Sequence, residues 1–208
     1  MHCLMCGLEK GDGDIIDILE NDDPLCHTCR SSLKHVRFRM KFHGYKLYAS
    51  SVYDDAFAKI LVQYKECFDE ALKTVFLYPF RWWFMIRFFG YTVCYLPSSK
   101  EKITKRGFHH LEKMFSSLSL RQADLFEKVN DFDQKNRSVE ERMRMADNIA
   151  LKKDCVVPKK VLLVDDTITT GASLLGALRC LKDYDCKIVI YVVSVNHLWL
   201  KKPKIFEK

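Results

Sequence analysis

The chain has 208 residues, of which 48% are hydrophobic and 29% are charged, and this balance excludes a wholly disordered protein. That length is enough for one large core and a small appendage. The net charge of +7 favours polyanionic partners, either nucleic acid or a ligand that carries pyrophosphate. No window of about 18 uncharged apolar residues occurs, which disfavours a transmembrane helix. A cysteine motif follows Met1 almost at once, so we expect no signal peptide and a cytoplasmic location.

Two Cys-x-x-Cys motifs lie at the start of the chain, at residues 3–6 and 26–29. Each motif can bring two thiolates to one metal ion, and together they complete a closed tetrahedral site. We therefore predict a zinc-ribbon module over residues 1–35 that binds one structural Zn²⁺. Two disulfides are the alternative, and His2 or His27 could replace a thiolate. The predicted ligands are Cys3, Cys6, Cys26 and Cys29.

A basic connection follows, because residues 31–50 contain no acidic side chain, and strand character appears at 45–53. Asp54 can cap a helix that continues to about Tyr64. We expect a second helix from about Phe68 into an aromatic segment.

The aromatic segment covers residues 75–96, where Arg81 and Arg87 interrupt the rings, and it ends in a predicted core strand at 91–96. Burial is the expected use of most of these rings. Partial exposure as a protein interface and stacking on nucleic-acid bases stay open as alternatives.

The second half of the chain alternates strand and helix patterns. A polar loop at 98–107 leads to a helix at 108–118, and residues 138–148 have helical character. A βαβ pattern follows, with a buried strand at 161–164, a helix at 173–182 and a strand at 188–194. This alternation predicts an α/β fold with a parallel sheet flanked by helices. Ligands of such sheets bind beyond the carboxyl ends of the strands.

The most informative segment is Val-Leu-Leu-Val-Asp-Asp-Thr-Ile-Thr-Thr-Gly-Ala-Ser at residues 161–173. Four apolar residues form the strand, and the carboxylates of Asp165 and Asp166 can accept hydrogen bonds from two adjacent ribose hydroxyls. The turn that follows can direct backbone N–H groups at a phosphate, with help from the helix N-terminus. Gly171 allows a close backbone approach. This is not a Walker loop, because no Gly-Lys-Ser/Thr follows.

This segment resembles the phosphoribosyl-pyrophosphate (PRPP) motif of type I phosphoribosyltransferases. The resemblance implies that Asp165 and Asp166 hold the ribose hydroxyls and act in catalysis. Thr169 stands where the 6-oxopurine salvage enzymes have an Asp, which argues against hypoxanthine or guanine as substrate. The residues implied to bind the 5′-phosphate are Thr167, Thr169, Thr170, Gly171, Ala172 and Ser173.

The whole chain is similar to the ComF family, phosphoribosyltransferase-like proteins linked to DNA uptake in natural transformation. The resemblance rests on the four-cysteine module, the Arg-Gly-Phe at 106–108 and the PRPP motif. It implies a phosphoribosyltransferase-like domain over residues 36–208. His109 and His110 depart from the family's Asn-Gln. Three further positions correspond loosely to family residues, namely Gln134, Arg142 and Asn148.

By the same resemblance, PRPP would bind together with Mg²⁺, and a nucleophile would displace the pyrophosphate. Arg106 is the first candidate to hold the pyrophosphate, next to Gly107 and with Lys100, Lys102 and Lys105 nearby. No convincing general base is apparent, since His109 and His110 are candidates by residue type only. Three functions stay open: a phosphoribosyltransferase of unknown acceptor, a PRPP sensor without turnover, and an adaptor that binds single-stranded DNA or competence proteins.

Overall fold

A computed structural model describes residues 2–10, 22–129 and 149–200. The predicted helix at 138–148, the three family positions Gln134, Arg142 and Asn148, and the C-terminal lysines from Lys201 onward lie outside these residues. The strands are β1 (His35–Phe42), β2 (Tyr45–Val52), β3 (Thr92–Tyr95), β4 (Arg121–Ala123), β5 (Phe126–Lys128), β6 (Ile149–Leu151), β7 (Lys160–Ile168) and β8 (Lys187–Val195). The α-helices are α1 (His27–Ser32), α2 (Asp55–Glu66), α3 (Arg81–Arg87), α4 (Lys100–Arg106), α5 (His110–Ser116), α6 (Ala172–Cys180) and α7 (His197–Leu200).

Six strands form one sheet in the order β1-β2-β8-β7-β3-β4. Every neighbouring pair is parallel except β1 and β2, which form an antiparallel hairpin at one edge. The hairpin turns at His43 and Gly44, whose φ angles of 48° and 85° fit the two-residue turn that matches strand twist. The predicted α/β class with a mostly parallel sheet is confirmed, and the basic segment with predicted strand character forms the two strands β1 and β2.

The centre of the sheet is β7 and β8, whose apolar residues are almost wholly buried. Strands covered on both faces have continuous apolar runs, as these two do. Helices α3 and α5 cover one face, because the rings of Phe84 and Phe115 pack edge-on against Tyr191 of β8. The short β5–β6 ladder lies beside α6, where the Cys180 thiol donates to the carbonyl of Ile149 at 3.1 Å.

Helix α2 follows the prediction closely. The Asp54 carboxylate accepts a hydrogen bond from the backbone N–H of Phe57 at 3.1 Å and caps the helix. Ile60 and Leu61 are buried on one face, together with Tyr64. The helix ends at Glu66, so Lys65 lies in its last turn.

The prediction of one continuous helix from about Phe68 into the aromatic segment is wrong. The chain forms two 3₁₀ turns, Glu70–Thr74 and Tyr78–Phe80, before α3 begins at Arg81. Pro79 has no backbone N–H and restricts the residue before it, which prevents a continuous α-helix here. The helix α3 is also less buried than predicted, because Trp82, Ile86 and the following Phe89 are 67%, 81% and 83% exposed.

The segment predicted as a polar loop at 98–107 contains a helix. The Ser99 hydroxyl accepts from the N–H of Lys102 and starts α4, and Gly107 ends it with a φ of +83°. Serine at the start, good helix formers within and a left-handed glycine at the end are ordinary helix signals. The high polarity of the segment is typical of a loop and conceals these signals.

The N-terminal module packs onto the main core. Asp23 is buried and pairs with Arg30 through two hydrogen bonds, while Arg30 Nη1 donates to the carbonyl of Val75 at 2.8 Å. Leu25 and Leu33 belong to the same hydrophobic cluster as the sheet. The division at residue 35 stays a prediction. In the described part of the chain, no helix combines the length and the apolar character needed to cross a membrane.

Candidate functional site

The sheet changes its winding direction between β3 and β7. After β3 the chain continues to β4 on one side, and after β7 it continues to β8 on the other. A crevice at the carboxyl ends of the two strands is the usual ligand position in such sheets. The N–H of Leu96 donates to the carbonyl of Val164 at 3.1 Å, so the segments that follow β3 and β7 begin side by side.

The two acidic residues lie within β7 rather than after it. β7 stays paired with β8 as far as Ile168, but its pairing with β3 stops at Val164. The edge of Asp165–Ile168 that faces away from β8 is therefore beside the crevice. Successive side chains of a strand point to opposite faces, which separates Asp165 from Asp166.

Asp166 is buried, with 8% of its surface exposed, and its Oδ2 atom has two partners. The ammonium of Lys65 lies at 2.6 Å, and Nε2 of His110 lies at 2.7 Å. Burial alone would raise the pKa of Asp166, but the His110 hydrogen bond and the Lys65 charge outweigh it and hold that pKa well below its usual range. Asp166 is therefore a carboxylate. Its second oxygen, Oδ1, accepts no hydrogen bond from the described residues.

His110 is the first residue of α5 and connects Asp166 to the loop after β3. Its Nδ1 atom lies 3.2 Å from Oγ of Ser98, and its backbone carbonyl accepts a hydrogen bond from the Tyr64 hydroxyl at 2.7 Å. Burial lowers the pKa of His110 below its ordinary value, and the charges of Lys65 and Arg106 act in the same direction against the opposing effect of Asp166. His110 is accordingly neutral near pH 7.

Arg106 is buried rather than presented to the crevice, since its side chain is 3% exposed. Its Nε atom donates to the carbonyl of Lys65 at 2.7 Å, and its Nη2 atom lies 3.9 Å from Glu66. No residue of the described chain accepts a hydrogen bond from Nη1. Gly107 ends α4 and is exposed. The exposed cations of this helix are Lys100, Lys102 and Lys105.

The turn between β7 and α6 exposes Thr169 and Thr170. The Thr170 hydroxyl accepts from the N–H of Ala172 at 3.3 Å. Within the described residues, the N–H groups of Thr170 and Gly171 donate to no acceptor. Ser173 lies in the first turn of α6 and is half-buried.

The fold itself requires glycine at position 171, whether or not a ligand binds. Its φ angle is +81°, and a Cβ atom here would lie 2.6 Å from Cζ of the buried Phe42. At the start of the turn, the indole N–H of Trp199 donates to the carbonyl of Thr169 at 2.7 Å. Thr167 is held as well, because its Oγ1 lies 2.8 Å from Oγ of Ser194.

The four predicted cysteine ligands come together. All four sulfur atoms lie within 4.8 Å of one another, and the Cys6 and Cys26 sulfurs are 4.0 Å apart. A tetrahedral zinc–thiolate site with bonds of about 2.3 Å has sulfur atoms about 3.8 Å apart, so the cluster could bind zinc. Burial would raise the pKa of Cys3, but hydrogen bonds from backbone N–H groups outweigh it and lower that pKa to about 6. The structure contains no disulfide between these cysteines, and the 4.0 Å between the Cys6 and Cys26 sulfurs is about twice the length of an S–S bond.

The structure adds residues to the site that sequence reasoning missed. Lys65 gave no signal, because its contact with Asp166 spans 101 residues and has no local pattern. Ser98 was predicted only as the first residue of a polar loop, and its contact with His110 was not foreseen. His110 was a candidate by type only, and Trp199 and Phe42 would have been counted as core residues.

Comparison with known proteins agrees with this architecture. Residues 103–207 match the family model of the phosphoribosyl transferase domain. The chain is 24% identical to competence protein ComFC of Streptococcus pneumoniae over 91% of this chain and 97% of that protein. This relative confirms the predicted resemblance to the ComF family.

A solved structure shows a weaker likeness. It is adenine phosphoribosyl transferase from Trypanosoma brucei in complex with AMP, pyrophosphate and ribose-5-phosphate, with 11% identity over 86% of this chain and 83% of that chain. The TM-score of 0.36 is too low to support correspondences between individual residues.

Proposed function

Because the chain belongs to the family of phosphoribosyl transferase domains, we propose that it binds PRPP together with Mg²⁺ at the carboxyl ends of β3 and β7 and transfers the phosphoribosyl group. The observation that carries this proposal is the turn at 169–171. It lies at the winding change of the sheet, it exposes two threonines, and its N–H groups at Thr170 and Gly171 have no acceptor among the described residues. Such a turn before a helix suits a phosphate.

The 5′-phosphate would lie against this turn. The N–H groups of Thr170 and Gly171 would donate to its oxygens, and the hydroxyls of Thr169 and Ser173 would add two donors. Ala172 begins α6, so its backbone brings the positive end of the helix dipole to the same place. Thr167 would support the strand below, because its hydroxyl is already bound to Ser194.

The ribose would lie along the edge of β7 that β3 leaves unpaired. We assign one hydroxyl to Oδ1 of Asp166, since Oδ2 of the same carboxylate is held by Lys65 and His110. Asp165 would accept the other hydroxyl from the opposite side of the strand. Both negative charges would also stabilise the positive charge that develops on the sugar as pyrophosphate leaves.

Mg²⁺ would come to the site with PRPP, near Asp165 and Asp166, and would supply positive charge that neutralises the leaving pyrophosphate. The exposed lysines of α4 are positioned to attract the pyrophosphate. Arg106 would contact it only after its buried guanidinium had moved, so the role predicted for Arg106 and Gly107 stays a prediction. In the N-terminal module, we propose that the four cysteines bind one structural Zn²⁺.

The test is isothermal titration calorimetry with PRPP and Mg²⁺, followed by a pyrophosphate-release assay. We expect binding by the wild-type protein and none by a variant with Asp165→Ala and Asp166→Ala. A matched control changes the exposed acids of the loop after α6, Asp183→Ala with Asp185→Ala. Equal affinity in the first variant and the wild type would refute the site. Binding without pyrophosphate release would favour a PRPP sensor.

The ComFC relative supports a role in natural transformation. A second candidate function is binding of single-stranded DNA or a competence protein, and the surface around α3 favours it. Exposed Trp82 lies beside Arg81, and exposed Phe89 follows Arg87 by two residues. Arg39 of β1 stacks on the Tyr48 ring that also contacts Arg87. Exposed rings next to cations suit unstacked bases. The free cysteines also fit the cytoplasm, where thiols stay reduced.

This second function is tested with a fluorescent oligo(dT) strand. We expect salt-sensitive binding that weakens in Trp82→Ala with Phe89→Ala and persists in the Asp165→Ala, Asp166→Ala variant. Val156→Ala is the control, because Val156 is exposed and is not part of this surface. Unchanged binding in the aromatic variant would exclude this surface.

A further inference from the structure

Ser98, His110 and Asp166 form a continuous chain of polar contacts that the proposed binding of PRPP does not require. Oγ of Ser98 lies 3.2 Å from Nδ1 of His110, and Nε2 of His110 lies 2.7 Å from Oδ2 of Asp166. The three residues come from the loop after β3, the start of α5 and the end of β7. A hydroxyl, an imidazole and a carboxylate in this order can pass a proton from the hydroxyl to the imidazole.

The direction of each hydrogen bond follows from the charges. The Asp166 carboxylate can only accept, so the neutral imidazole of His110 must donate to it from Nε2. Nδ1 then has a free lone pair and accepts from the Ser98 hydroxyl. The oxygen of Ser98 keeps its own lone pairs for a hydrogen from outside the chain. Before any reaction, the Ser98 oxygen can therefore accept a proton from outside the chain while His110 accepts the proton of Ser98.

The outer end of this chain lies at the crevice. Ser98 follows β3 by three residues and is half-buried, and it precedes Ser99, which caps α4. The inner end is Asp166, whose Oδ1 atom is the proposed ribose contact. A PRPP molecule that contacts both the turn after β7 and the exposed lysines of α4 would pass beside Ser98.

We propose that Ser98, His110 and Asp166 act as a proton relay for the incoming nucleophile, so that the acceptor of the phosphoribosyl group is a compound with an N–H or O–H proton to lose. This inference rests on the proposed function. The nucleophile's lone pair forms the bond to C1 of the ribose, and the C1–O bond breaks with its electron pair leaving on pyrophosphate. The nucleophile's proton passes to the Ser98 oxygen while the Ser98 proton passes to Nδ1 of His110. Ser98 would be the catalytic contact, and His110 a positioning residue that acts through it.

The groups around His110 set the pH range of this relay. Asp166 stabilises the imidazolium, while Lys65 and Arg106 oppose it, and the neighbouring His109 is half-buried with its own pKa lowered to about 4. The Tyr64 hydroxyl donates to the backbone carbonyl of His110 at 2.7 Å. Because burial and the two cations lower the pKa of His110, the base would be available at neutral pH and would be lost only in acid.

The test compares binding with turnover in His110→Gln and Ser98→Ala. Glutamine is close in size to histidine and its amide can still donate to Asp166, so His110→Gln is expected to fold. We expect each variant to bind PRPP in calorimetry nearly as well as the wild type and to release pyrophosphate about 10²-fold more slowly. The acidic limb of the pH–rate profile should disappear in His110→Gln. His197→Gln, at an exposed histidine in α7, is the control that should leave rate and profile unchanged.

The acceptor panel adds a second readout. Amines, nucleobases with a ring N–H and water have a proton to lose, whereas a pyridine nitrogen such as that of nicotinate has none. Turnover restricted to the pyridine acceptor would overturn the relay, and so would unchanged rates in both variants. PRPP binding with no turnover would overturn it as well, while leaving the binding site intact. Failure of the wild type to bind PRPP would instead refute the proposed function itself.

Discussion

The indole N–H of Trp199 donates to the backbone carbonyl of Thr169 at 2.7 Å, so the C-terminal helix α7 holds the first residue of the turn after β7. The Trp199 ring also lies against Phe42, with ring centroids 5.9 Å apart, and Phe42 contacts Gly171 from the same side. The turn is thus fixed by two aromatic side chains that no ligand needs to touch.

Trp199→Phe is expected to weaken PRPP binding, because the ring is kept while the hydrogen bond to Thr169 is lost. A hydrogen bond of this kind contributes about 1 kcal/mol, which corresponds to roughly a fivefold change in affinity. Calorimetry with PRPP and Mg²⁺ measures it. Leu198→Ala is the control, since Leu198 is exposed in the same helix. An affinity equal to the wild type would show that α7 does not order the turn.

Gly171→Ala is expected to destabilise the protein more than Gly90→Ala. Both glycines have left-handed φ angles, +81° and +76°, and a left-handed alanine costs about 1–2 kcal/mol at either position. Only Gly171 also places the new methyl against Phe42, because the nearest atom at Gly90 is the flexible Lys160 ammonium at 3.6 Å. Urea denaturation of both variants measures the difference, and equal losses would contradict the close contact.

Lys65→Met is expected to lower the free energy of unfolding at pH 7 by about 3 kcal/mol, because it leaves the buried Asp166 carboxylate without its cation. The pKa of folded Asp166 is depressed, so the stability it contributes is present above its unfolded pKa and is lost as the pH falls toward the folded value. Without Lys65 that depression shrinks, and the stability falls less steeply in acid. Lys59 is an exposed lysine in the same helix. Lys59→Met should therefore have little effect on urea denaturation, both at pH 7 and in acid.

His109→Asn is expected to remove part of the acid sensitivity between pH 6.5 and pH 4. Burial lowers the pKa of His109 to about 4, so the unfolded chain takes up a proton in this range that the folded chain does not. Each such proton makes stability fall by up to about 1.4 kcal/mol per pH unit as the solution is acidified. Thermal unfolding at a series of pH values measures the slope, and an identical slope in the variant would show that His109 is not the sensitive group.

Cys26→Ser is expected to lower both the zinc content, from about one ion per chain, and the melting temperature. The effect should extend to the main core, because the module is joined to it by the hydrogen bond from Arg30 to Val75. Metal analysis and thermal unfolding provide the two readouts. Cys67→Ser is the matched control, since Cys67 is exposed and outside the cluster. Full zinc content in Cys26→Ser would refute the four-thiolate site.

The parts of the fold with regular local patterns could be predicted from sequence. The capped helix α2, the buried strands β7 and β8 and the clustered cysteines each have a repeating or fixed spacing that local chemistry explains. Two features were missed. Pro79 breaks the helix in a segment whose hydrophobicity is typical of a helix, and Ser99 starts α4 in a segment whose polarity is typical of a loop. The partners of Asp166 were not predictable, since Lys65 and His110 reach it only through the packing of α2 and α5 on the sheet.

Strand β7 stays paired with β8 as far as Ile168, while its ladder with β3 ends at Val164. Pairing with β8 therefore holds one edge of the strand in place, while the opposite edge lies beside the crevice where a ligand would bind. Ser194 on the paired side holds both the Thr167 hydroxyl and the Asp166 carbonyl. A substitution at Ser194 in β8 would therefore change the position of the β7 residues that line the proposed site.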